Sequence, residues 1–136
     1  MMTYEEIIKD IDEIFYSSRL IDPACGDICK AILDWIHDRN KALLTDLGFP
    51  EIFKAAISVN PRWTSEQVIS CIPYLSGDAA HALKIRFKFA DGQGPDIEVW
   101  PKKINGHQRF VDSDGNSTEG CESNVYLFFD ASRLGR

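Results

Sequence analysis

Between residues 73 and 83 the spacing of apolar residues changes from threes and fours to twos. No regular element can satisfy both spacings, because a helix repeats every 3.6 residues and a strand every 2. The chain is therefore expected to build helices first and strands afterwards, an α+β order with about four N-terminal helices packed on an antiparallel sheet of three or four strands. At 136 residues it reads as one domain over 1–136, long enough to bury a core without a disulfide or a metal.

The helical half carries its own punctuation. Thr3 and Glu6 form the T-x-x-E capping box, and Tyr4, Ile7, Ile11, Ile14 and Ser18 follow as one stripe. Asp22 and Pro23 supply an N-cap and a first helical residue. From there the stripe Cys25, Cys29, Ile32, Ile36, Leu43, Leu47, with Ile28 and Trp35 beside it, predicts one long helix that Gly48 caps at its C-terminus. A third helix is expected over Pro50–Val59, stopped by Asn60-Pro61. A second capping box, Thr64 and Gln67, opens a fourth helix lined by Val68, Ile69, Cys71 and Ile72 and ended by Pro73.

The strand half is set by alternation. Leu83, Ile85, Phe87 and Phe89 alternate with Lys84, Arg86 and Lys88, so this strand has one apolar and one basic face. Ile97 and Val99 resume the pattern. Placing Ile97 beside Phe87 or Phe89 requires an odd loop, which the three residues Gly92–Gly94 satisfy with Gly94 left-handed. That register sets Asp96 and Glu98 opposite the basic face. Asn105-Gly106 predicts a type I′ turn pairing Pro101 with Phe110 and Trp100 with Val111, with Pro101 at an edge position or strand end. Residues 112–123 form a polar loop, and Val125–Asp130 a last strand with Val125, Leu127 and Phe129 on one face.

Composition excludes several classes of function. Lys plus Arg number 15 against 21 Asp plus Glu, a net charge of −6. A generally acidic surface repels phosphate, which argues against direct nucleic-acid binding. There is no apolar stretch of about 18 residues for a membrane span, and the acidic N-terminus is unlike a secretory signal, so a cytoplasmic location is expected. There Cys25, Cys29, Cys71 and Cys121 would be free thiols.

Each candidate chemistry falls short. Asp112, Asp114 and Asn116 have the opening spacing of an EF-hand loop. Ser117 stands where its glycine is needed and Ser123 where its bidentate glutamate is needed, so an Asx-turn loop is the better reading. Cys25 and Cys29 sit one helical turn apart, but His37, Cys71, His81, His107 and Cys121 are scattered singly, and zinc wants four converging ligands. Cys121, His107 and Asp112 could be drawn as a nucleophilic triad, yet nothing in the sequence brings them together. Gly92-Gln93-Gly94 lacks the setting and the lysine of a phosphate loop. No cofactor, metal or catalytic residue is expected, and the oligomeric state is left open.

The acidity is uneven. Residues 1–60 hold 11 acids against 6 bases, whereas residues 61–111 hold 5 against 7. Asp112, Asp114, Glu119 and Glu122 crowd the late loop with no lysine or arginine among them. Trp100 and Tyr126, with Phe128, form an aromatic patch on the sheet; they suit a protein interface if no helix covers them. The acidic first helix (Glu5, Glu6, Asp10, Asp12, Glu13), the Asp112–Glu122 loop and the single-domain size together resemble the small cytosolic immunity proteins of bacterial toxin systems such as contact-dependent inhibition. That resemblance implies a protein that neutralises a cognate, basic and often nuclease toxin domain by occluding its active-site surface. Asp112, Asp114, Glu119, Glu122, Trp100 and Tyr126 are the expected partner-binding residues. The competing expectation is a small-molecule-binding or hydrolytic enzyme with a pocket between helices and curved sheet, and a third is a structural or phage-derived interaction protein.

Overall fold

The structure, a computed structural model, describes residues 1–17, 21–90, 92, 94–117 and 124–136. Four helices precede a four-stranded antiparallel sheet, the α+β order expected from the change of period. The chain divides into two compact units, Met1–Lys84 with Phe129–Arg136, and Ile85–Phe128.

In the first unit, α1 (Tyr4–Phe15) begins at the expected capping box, and α2 (Pro23–His37) begins at Asp22, whose side chain accepts from the Ala24 N–H. Helices α3 (Phe49–Ile57) and α4 (Ser65–Leu75) follow, the latter opened by the Thr64–Gln67 box. Helix α2 packs against the other three. The core joins Ile7, Ile11 and Phe15 to Ile28, Ile32, Leu33 and Ile36, and to Ile52, Val68 and Leu75.

The long second helix is not formed. Helix α2 stops at His37, and Asn40 caps a 3-10 turn, Lys41–Leu43, by accepting from the Ala42 N–H. The reason is long-range backbone pairing. Residues 39–47 exchange hydrogen bonds with the end of the chain: Lys41 N to Arg136 O (2.9 Å), Arg136 N to Arg39 O (2.8 Å), Ala131 N to Leu44 O (2.8 Å), and a reciprocal pair between Leu47 and Phe129. A continuous helix would spend these groups on itself. The change of path also alters which side chain is buried: Leu43, expected on the stripe, is 68% exposed, while Leu44 is fully buried. Gly48, expected to close that helix, instead opens α3 as its N-cap.

Pro73 lies inside α4, which continues to Leu75 because Leu75 is fully buried and its carbonyl accepts from the Ala82 and Leu83 N–H groups. Ile69 faces solvent, and Val68, Cys71 and Leu75 take the buried side. On α1 the stripe turns from Ile14, which is exposed, to Phe15.

The second unit carries most of the sheet, whose strand order is β3-β2-β1-β4: β1 (Lys84–Phe89), β2 (Ile97–Ile104), β3 (His107–Val111) and β4 (Val125–Asp130). The registers are the expected ones, Phe89 opposite Ile97, Lys88 opposite Glu98, Trp100 opposite Val111 and Pro101 opposite Phe110. Asn105 (φ 52°) and Gly106 (φ 79°) have the positive angles of a type I′ turn. Counting back from that turn, Pro101–Phe110 is a non-hydrogen-bonded pair. The pairing with β1 ends at Val99, so no ladder bond is asked of Pro101 on either side. In the first hairpin the left-handed residue is Gly92 (φ 78°), where Gly94 was expected.

Candidate functional site

Alternation places Lys88, Glu98 and Trp100 on one face of the sheet, and the contacts of β4 add Tyr126 and Phe128 to it. Lys88 Nζ lies 4.6 Å from the centre of the Phe128 ring and 5.6 Å from that of Tyr126, and Arg86 Cζ lies 5.5 Å from the Phe128 ring. Arg86 forms a two-pronged ion pair with Glu98, and the Tyr126 hydroxyl donates to Asp96. The aromatic patch is thus threaded with paired charges. Trp100 (45% exposed) and Tyr126 (42%) reach solvent, whereas Phe128 (8%) does not. Toward β3 the same face carries Lys102 opposite Arg109.

Val111, the partner of Trp100, leads into the acidic loop. One Asp112 oxygen, Oδ1, accepts from the N–H groups of both Asp114 and Asn116 at 2.9 Å, and Gly115 (φ 83°) completes the turn. Asp112 is therefore the organiser of an Asx-type loop. Asp114 is exposed. Glu119, Glu122 and Cys121 lie outside the described residues. The structure accordingly brings Trp100 to the root of the Asp112–Asp114 turn and sets Tyr126 on the same face of the sheet.

The clearest concentration of negative charge lies on α1. A 290 Å³ groove runs along it, lined by Met2, Glu6, Lys9, Asp10 and Glu13. Residues 6, 10 and 13 stack on one helical stripe. Asp10 accepts from the Tyr74 hydroxyl at 2.6 Å, which fixes that carboxylate. Burial, and then this bond, push the Tyr74 hydroxyl's pKa upward. Glu6 Oε1 accepts from the Thr3 N–H, and that bond holds its carboxyl below the usual range. Asp12, off that stripe, pairs with Lys30. Among the described residues Glu5 and Glu13 are in no ion pair.

Helices α2 and α3 enclose a cleft that the sequence reading missed. Two adjoining cavities of 280 and 360 Å³ share Trp35, Arg39, Ala55 and Ser58, and the Arg39 guanidinium lies 4.3 Å from the centre of the Trp35 ring. The only signal in the sequence was Trp35 set among Asp34, Asp38 and Arg39.

Three thiols meet between α2 and α4. Cys71 Sγ lies 3.5 Å from the Cys25 carbonyl oxygen, and Cys25 Sγ 3.5 Å from Ser70 Oγ. A hydrogen bond to Cys71, together with burial, pushes the Cys29 thiol's pKa up. Among the described residues no three His, Cys, Asp or Glu side chains are placed to hold a metal ion, and no helix is long and apolar enough to cross a membrane.

No family model, no curated protein and no solved structure matches the chain.

Proposed function

We propose that this protein binds a cationic protein surface, and that it serves as an immunity protein neutralising a cognate nuclease toxin domain by covering its basic active-site face. The observation that carries this reading is the α1 groove, where Glu6, Asp10 and Glu13 line one concave stripe beside the apolar Met2. A lysine or arginine entering it would meet three carboxylates against the single cation Lys9, and one of the carboxylates is already held in place by Tyr74. A nuclease must present cations to phosphate, so its substrate surface suits such a stripe. The second unit, taken by itself, presents Trp100 and Tyr126 half-exposed on its strands, residue types that commonly anchor a protein partner. Asp114 adds charge at the adjoining turn.

The test is co-expression with the toxic C-terminal domain of a secreted protein encoded immediately upstream. The expected result is restored growth and a stable complex. In Glu5→Lys/Glu13→Lys, two exposed positions outside ion pairs, association at low salt should slow by about tenfold or more, because steering by complementary charge is worth that much or more in on-rate. Failure of the native chain to restore growth or to bind the toxic domain would overturn the reading.

A further inference from the structure

We propose that the first unit holds a binding site for a small anion, a phosphate or carboxylate group, in a 160 Å³ cavity lined by Met1, His81, Lys84, Asp130, Ser132 and Arg133. Arg133 dominates the lining of this cavity. Its guanidinium is half-buried, and its hydrogen bonds all go to backbone carbonyls: Nε to His81 (2.9 Å), Nη1 to Met2 (2.9 Å) and Nη2 to Ala80 (2.5 Å). Carbonyls satisfy donors but do not cancel a full positive charge. Among the described residues no carboxylate pairs with it. Five N–H donors with three in use leave two for a ligand.

Lys84 and His81 share the cavity with Arg133. Lys84 is exposed at the start of β1 and is in no ion pair among the described residues, and His81 lies beside it. His81 also sits at φ 49°, a left-handed conformation that L side chains rarely adopt and that tends to persist where surrounding structure enforces it for a function. The single acid in the lining, Asp130, turns Oδ1 toward the Ser132 N–H and hydroxyl, which orients Ser132 at the rim. The lining is therefore net positive in a protein that is net negative. The volume admits the ligand: at about 30 Å³ per water it holds roughly five waters, room for a phosphate or carboxylate group with some of its hydration.

The test is titration of the isotope-labelled full chain with sodium phosphate and, separately, with sodium acetate, each at ionic strength matched with sodium chloride. The expected result is saturable amide shifts at His81, Ser132 and Arg133. Saturation by phosphate alone assigns a phosphoryl ligand, and saturation by acetate as well assigns a carboxylate. Lys84→Gln, an exposed change, should weaken binding by about tenfold, the loss of one charge-assisted contact. His81→Asn, which tolerates the same backbone angle, should weaken it less. Arg133→Met removes three structural bonds and is expected to unfold the region, so it is not used. Absence of saturable shifts with both salts, or equal affinity in Lys84→Gln, overturns the site.

Discussion

Arg86 on β1 and Glu98 on β2 meet as a two-pronged ion pair across the first hairpin, Nε to one carboxylate oxygen and Nη2 to the other. Lys88, not Arg86, stands directly opposite Glu98, so the pair runs diagonally and leaves Lys88 over the Tyr126 and Phe128 rings. Both side chains keep a quarter or more of their surface in water, at 29% and 25% exposure. A double-mutant cycle with Arg86→Ala and Glu98→Ala is expected to give a coupling of about 0.5–1 kcal/mol, shrinking in high salt. Arg86→Ala alone should cost more, because it also uncovers the Phe128 ring. Urea unfolding at two salt concentrations measures both; a coupling of zero would show that the diagonal geometry contributes nothing.

Adjacent leucines should respond in opposite ways. Leu44→Ala empties a fully buried site and is expected to destabilise by about 2–5 kcal/mol. Leu43→Ala, one residue earlier, should stay within about 0.5 kcal/mol. Denaturant midpoints of the two variants check the path of the chain through 38–47. Equal losses would restore the continuous helix.

Glu6 gives a pH dependence whose sign can be stated. The hydrogen bond that its carboxylate accepts from the Thr3 N–H lowers its carboxyl pKa from the ordinary 4.5. A group depressed in the folded state stabilises above its unfolded pKa and loses that contribution as pH falls through the folded one. The native chain should therefore lose stability on acidification from about pH 5 downward. Glu6→Gln, which keeps a capping amide but has no charge to titrate, should lose less over the same interval. Unfolding midpoints measured from pH 6 to pH 3 decide this, and identical slopes for the two proteins would remove Glu6 from the acid response.

The proposed site was only partly legible. Alternation fixes the sheet face of Trp100 and Tyr126, whereas Glu6, Asp10 and Glu13 were read only as the acidic side of the first helix and not as partner-binding residues. Their surroundings were not: Tyr74 reaches Asp10 from another helix, and Lys88 reaches Phe128 from another strand. The sequence marks His81 only as one of its singly scattered histidines, and the cavity it shares with Arg133 was not legible, because the two lie on segments far apart in sequence and the chemistry consists of side-chain donors meeting backbone carbonyls.

By itself the sequence determined whatever depends on near neighbours. Both capping boxes, the Asn105-Gly106 turn, both hairpin registers and the α+β order follow from side chains acting within a few residues of their own backbone. The tertiary structure decided whatever depends on distant backbone groups. Residues 39–47 leave the helical path because the chain end offers them hydrogen-bond partners, and Pro73 stays inside its helix because the buried Leu75 carbonyl receives Ala82 and Leu83. A backbone group can be satisfied locally or at long range with similar energy, so only the assembled fold selects between the two.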